Sequence, residues 1–301
     1  MDDKLKTSIS ANKTKSWIIM VFFALFVAML GLVFGKISGH GLTWAMIAFL
    51  LAGVASLGGY FFGDKMILGI SNAHEADKVK DENIYTIIGN ITLKAGLPIL
   101  KVYIIEDRSP NAFATGRDPN HAVICVTRGL IDKLKMAEIE GVVAHELSHI
   151  RNYDTRLMVI TSILVGTVAF MADWFVRSLW WGESSSDNNN KNISRTFLLV
   201  AGILLAVISP IIATIIQLVI SRRREFLADA SGVLFTRNPE GLITALEKIS
   251  NDRSVLRSAS NATAHLFIEN PFKGKINGAW WVGLFNTHPP IEERIKILRS
   301  L

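Results

Sequence analysis

The sequence predicts a mainly α membrane protein: four transmembrane helices carrying one polar α+β domain with a small sheet. Half of the residues are hydrophobic, and the mean hydropathy is +0.34. Charged residues make up 19%, below the roughly 25% usual for soluble domains. The charge is missing from a few long apolar runs, and between those runs lie two polar segments with strand and helix patterning.

A bilayer core needs about 20 apolar helical residues, and four runs of the 301-residue chain qualify: 17–35, 41–63, 157–177 and 196–220, the last with Pro210 near its middle. Residues 1–16 form a basic N-terminus with Lys4, Lys6, Lys13 and Lys15. That flank predicts a retained signal anchor with its N-terminus in the cytoplasm. A short turn, Lys36 to His40, returns the chain, which re-enters the cytoplasm at Asp64. The second hairpin encloses a polar extracytoplasmic loop, 178–195, and Arg222, Arg223 and Arg224 mark the last return. Asp173 and Arg177, four residues apart, are expected to anchor the third span at the outer interface. The polar segments 64–156 and 221–301 are then two halves of one cytoplasmic domain. The net charge of +6 reads as positive-inside topology rather than nucleic-acid binding. Cys125 has no partner for a disulfide and reads as a core residue.

Within the first half, Asn72 can cap a helix over Ala73 to Lys94, stopped by Gly96 and Pro98. Lys101 to Glu106 reads as a strand, Ser109 to Asn120 as a loop, and Ala122 to Val126 as a second strand. A helical turn follows Gly129, and Met136 to Asn152 reads as a helix. In the second half, Asn238 and Pro239 start a helix to Ser250, and Pro290 starts another ending near Leu298.

The helix at Met136 to Asn152 carries His145, Glu146 and His149. Residues four apart share a helix face, so both imidazoles can aim at one zinc ion, with Glu146 able to take a proton from an activated water. A catalytic zinc needs a third protein ligand. Glu225 is a candidate, and Asp229, one turn on, could accept the free ring N–H of a zinc-bound histidine. Two crossings separate His149 from Glu225, which returns both to one side of the membrane. Continuous helices would set the site roughly 8–12 Å outside the lipid core. Asp154 reads as a loop residue after the zinc helix in preference to one that steadies a metal ligand, His40 lies in the membrane turn, and His74, His121 and His265 read as surface residues.

These residues resemble a known family, the HtpX heat-shock membrane proteases, relatives of the CAAX prenyl proteases within the gluzincin zinc peptidases. The resemblance rests on Ala144 to Asn152, Ser221 to Ala230, Pro110 to Gly116, Thr287 to Pro290 and the paired hairpins. It implies a zincin-like catalytic domain with one Zn2+ per subunit on His145, His149 and Glu225, and Glu146 as general base. It implies that His288 steadies the oxyanion. It also implies that Asn111, Ala112 and Phe113 bind substrate, leading into an edge strand at Ala122 to Val126. The implied setting is the bacterial inner membrane, multi-pass, with the site cytoplasmic. The implied substrates are membrane proteins or unfolded polypeptides, cut in quality control and stress response in cooperation with other membrane proteases. Three alternatives remain open: a CAAX prenyl protease, a site-2-type intramembrane protease using Asn238-Pro239-Glu240-Gly241, and a non-enzymatic scaffold.

Overall fold

A computed structural model describes residues 2–37, 41–181, 222–260, 262–271 and 289–301. Helix α1 (Asp2–Ile37) already includes the basic N-terminal segment, because no Gly or Pro interrupts it before the first apolar run. Helix α2 (Gly41–Ile70) likewise continues past Asp64 and Lys65, beyond the end expected at Gly63. Both are long and apolar enough to cross a membrane, and only 28% and 17% of their apolar windows are buried. Ile18, Leu50 and Val54 are 60%, 64% and 69% exposed. A core helix of a soluble protein would hide such side chains, whereas lipid accepts them. Helix α6 (Asp154–Trp181) covers the third expected span and continues into the first residues of the expected 178–195 loop. Its first turns are covered by protein: Leu157, Ile160 and Leu164 are buried, the last two with Met20 and Phe23 of α1. Helix α2 approaches α6 closely through Gly59 and Gly63. A Cβ at Gly63 would collide with Val159, and one at Gly59 would stand 2.9 Å from Ile163. The fourth expected span, 196–220, lies outside the described residues.

The polar domain is built on a four-stranded mixed sheet. Strand β1 (His74–Glu75) pairs antiparallel with β2 (Lys101–Ile105). The helix expected from Ala73 is therefore shorter, and α3 spans Glu82–Lys94. Asn72 takes a positive φ of 51° after α2 instead of starting a helix. Gly96, at φ 67°, ends α3 as expected. The expected loop at Ser109 to Asn120 contains strand β3 (Ala112–Thr115), and β4 (Val123–Thr127) lies between β2 and β3. β4 is parallel to β2 through Val123 opposite Lys101, and antiparallel to β3 through Val123 opposite Thr115. The expected edge strand at Ala122 to Val126 is thus an interior strand, and β3 is the edge strand beside it. All five β4 residues are buried, because both sheet faces are covered. Val102, Ile104, Ile124 and Val126 pack with Ile87, Ile88 and Ile91 of α3 and with Val142 and Val143. Cys125, Phe113 and Ile105 pack with Ile67, Leu157 and Phe267.

Thr127 caps the short helix α4 (Arg128–Lys133), its hydroxyl accepting from the Leu130 N–H. Helix α5 (Met136–Arg151) follows and is almost wholly buried. It does not run on into the membrane segment. Asn152 ends it, Tyr153 takes φ 60°, and α6 restarts at Asp154. The depth read from one unbroken helix therefore does not hold. Helices α7 (Arg222–Thr236) and α8 (Pro239–Asn251) pack on α5, and α9 (Ile291–Leu298) packs on both of them. Asn238 caps α8 by accepting from the Gly241 N–H, a structural duty for the segment that suggested a site-2-type motif.

Candidate metal centre

α5 presents His145 and His149 one turn apart on a single face. α7 crosses it at Gly232, where a Cβ would stand 3.1 Å from the His145 backbone nitrogen. Close backbone approach brings Glu225 over both histidines. Its Oε2 lies 3.6 Å from His145 Nε2 and its Oε1 lies 3.6 Å from His149 Nε2. The two Nε2 atoms are 3.2 Å apart. Donors about 2.0–2.1 Å from a tetrahedral zinc would be separated by roughly 3.3 Å, so the two imidazole nitrogens have the right separation, and one ligand atom from each of the three residues lies within 4.8 Å of the others. His145, His149 and Glu225 are 0%, 3% and 1% exposed. Two imidazoles and one carboxylate form a catalytic-type donor set, which leaves a fourth position for water or substrate.

Each histidine is braced through its other nitrogen. His145 Nδ1 is 2.9 Å from Asp229 Oδ1. Asp229 in turn accepts from Arg294 Nη2 at 2.6 Å and Nε at 2.9 Å. His149 Nδ1 is 3.1 Å from Asp154 Oδ2. Asp154, expected as a loop residue, is the first residue of α6, and its carboxylate turns back onto the zinc-motif helix. Arg294 was not singled out in the sequence. It is fully buried on a short polar helix, and nothing in its spacing announces a partner 65 residues away.

The field of the site is strongly negative. Burial and the Arg294 charge push the His145 imidazole down, yet Asp229 and Glu225 outweigh them and hold it up at about 9. Burial also pushes His149 down, and Asp154 and Glu225 reverse that. Burial pushes the Asp229 carboxyl up, but Arg294 and His145 outweigh it and hold it at about 2. Carboxylates that favour the charged form of both imidazoles also favour a cation between them.

Glu146 follows His145 and is 3% exposed. Its Oε2 accepts from the Ala114 N–H of β3 at 2.9 Å. Asn111, just before this strand, and Ala112 and Phe113 within it are buried. Asn111 Nδ2 donates to the Glu269 carbonyl, the Ala112 carbonyl accepts from Ile268 N–H, and Phe113 meets Phe267 edge-on at 5.0 Å. The open side of β3 therefore carries the chain's own residues 267–269. His288 and His40 lie outside the described residues, as do the side chains of Asp173 and Arg177. His74 and His121 are exposed. His265, expected at the surface, is buried with Nε2 3.2 Å from the Ser162 hydroxyl of α6.

Comparison with known proteins agrees with this architecture. The family model described as Peptidase family M48 matches residues 78–301. A protease HtpX homolog of Caldanaerobacter subterraneus subsp. tengcongensis is 43% identical over 291 residues, covering 96% of this chain and 95% of that protein. One from Dictyoglomus thermophilum is 37% identical over 294 residues, covering 98% and 94%. One from Listeria monocytogenes serotype 4a is 39% identical over 302 residues, covering 97% and 98%. The crystal structure of S. mikatae Ste24p superposes with a TM-score of 0.51 at 19% identity, covering 95% of this chain and 67% of that one, which shows a shared fold. Family match, full-length relatives and apolar helices together establish that the chain belongs to peptidase family M48 and is a membrane metalloprotease.

Proposed function

We propose that this metalloprotease is a zinc-dependent endopeptidase that cuts misfolded or damaged membrane proteins at their cytoplasmic segments. The observation that carries the reading is the buried cluster of His145, His149 and Glu225, with one ligand atom from each within 4.8 Å of the others, beside Glu146. One Zn2+ per subunit, held by these three residues, would supply Lewis-acid activation of a water and of the scissile carbonyl. Glu146 takes the proton of the attacking water and passes it to the leaving amine. The Ala114 N–H holds one carboxylate oxygen in place for that task. Asp229 keeps the His145 ring turned towards the metal. Asn111, Ala112 and Phe113 receive an extended substrate along the open side of β3, in place of the Ile268 contact. His288 is assigned to the oxyanion through the resemblance at Thr287 to Pro290.

Four spans, 17–35, 41–63, 157–177 and 196–220, with the termini and the site cytoplasmic, complete the reading. Its support is a contact: Asn12, which precedes the 17–35 run in α1, reaches Asp154 beside the site, which favours setting that part of α1 and the metal centre on one side of the bilayer. Quality control under stress, alongside other membrane proteases, follows from the likeness to HtpX homologs.

Glu146→Gln in the purified full chain should abolish cleavage of a casein-like substrate while retaining one zinc per chain. Undiminished cleavage would overturn the mechanism. Mapping cuts in a co-reconstituted misfolded membrane protein tests the orientation, and cuts confined to extracytoplasmic loops would reverse it.

A further inference from the structure

The two histidines are braced by carboxylates, and the brace of His149 has an unexpected origin. Asn12 is 2% exposed in α1, a position at which a polar side chain must be satisfied by the protein. Its Nδ2 donates to the Asn152 carbonyl at 2.9 Å and to Asp154 Oδ1 at 2.7 Å. Both hydrogens of one amide nitrogen are thereby spent on the α5–α6 junction, where Tyr153 adopts φ 60°. Asp154 uses its other oxygen, Oδ2, on His149 Nδ1 at 3.1 Å. Next to Asn12, Lys13 Nζ lies over the Tyr153 ring at 4.3 Å, and Arg224 Nη1 lies 3.7 Å from Asp154 Oδ1. Without the Asn12 donor, Oδ1 of Asp154 would keep only the longer Arg224 contact, and a carboxylate turned towards that arginine would loosen its hold on the imidazole.

We propose that Asn12 is a positioning residue of the metal centre: the first membrane helix holds Asp154 in the rotamer that orients His149 as a metal ligand. The inference rests on the assignment of His149 to the metal. It means that the polar domain does not complete its own zinc site, and that docking of the cytoplasmic end of α1 contributes to it.

The test is zinc affinity of the detergent-purified full chain, measured by competition with a chromophoric chelator. Asn12→Leu keeps the side-chain shape and removes the donor, and zinc affinity should fall about 10- to 100-fold. In an Asp154→Ala background the same change should have little further effect, because Asn12 acts through Asp154. Visible absorption of the cobalt-substituted protein should shift in Asn12→Leu as it does in Asp154→Ala. Should Asn12→Leu fail to fold, Asn12→Ala takes its place with the same expectations. Wild-type affinity in the single variant, or a full further loss in the Asp154→Ala background, would overturn the proposal. His149→Ala separates the two levels: if it retains zinc at wild-type affinity, the ligand assignment itself is wrong. If it loses zinc while Asn12→Leu does not, only the role of Asn12 is refuted.

Discussion

His145 and His149 are one helical turn apart and equally buried, yet their braces differ in kind. The His145 arm ends in a full charge, Arg294, which grips Asp229 with two hydrogen bonds from the C-terminal helix α9. The His149 arm ends chiefly in a neutral amide, Asn12, from the opposite end of the chain. The first arm is a closed ion pair inside the polar domain. The second ties the centre to the membrane hairpin. The candidate metal centre is thus joined both to the C-terminal helix α9 and to the first apolar helix α1.

Removing the charge should expose this asymmetry most visibly. Arg294→Leu leaves the Asp229 carboxylate buried without its cation and should cost about 3–5 kcal/mol of stability. Asn12→Leu leaves a carboxylate short of one neutral donor and should cost about 1–3 kcal/mol. Denaturant unfolding of the two variants makes the comparison, and equal losses would remove the asymmetry.

Truncating the carboxylates sharpens it. Asp229→Ala and Asp154→Ala should each weaken zinc binding about 10- to 100-fold in chelator competition. Only the first should also strand a buried guanidinium, so its metal-free form should unfold at the lower denaturant concentration.

The proton provides a gentler probe. In the metal-free protein the His145 imidazole is held up at about 9 against an ordinary 6.5. Its proton therefore contributes stability that is fully present below 6.5 and is lost as the pH rises through about 9. Zinc must displace that proton, so zinc affinity should climb by about tenfold per pH unit over much of this window. A flat profile would show that His145 is already neutral. The smallest effect belongs to an exposed pair remote from both arms. Lys101→Ala removes a 3.4 Å contact to Glu75 between half-exposed side chains, and thermal unfolding should register no more than about 1 kcal/mol.

Where neighbours along the chain carried the signal, the sequence was legible. The spacing of Ile84, Ile87, Ile88 and Ile91 marked the buried face of α3, and Asn238-Pro239 marked the start of α8. His145, Glu146 and His149 declared a metal helix, and Glu225 and Asp229 stood four apart on the next one. The chain fell short where a partner strand or helix decided. Ser109 to Asn120, rich in turn residues, hid β3, because its four strand residues are stabilised by pairing with β4 rather than by their own alternation. Asp154 was misjudged because Tyr153 breaks α5 from α6 and swings the carboxylate back.

The sequence by itself determined the apolar helices, the spacing of the candidate zinc motif and the second acidic pair, since each is a periodic pattern that a helix converts directly into a face. Tertiary structure alone decided which strand is the edge, that residues 267–269 cover it, and that Arg294 and Asn12 brace the two histidines. Those contacts join positions 65 and 142 residues apart. A single arginine or asparagine leaves no local signature of such a partner until the packing of helices brings it within hydrogen-bonding reach.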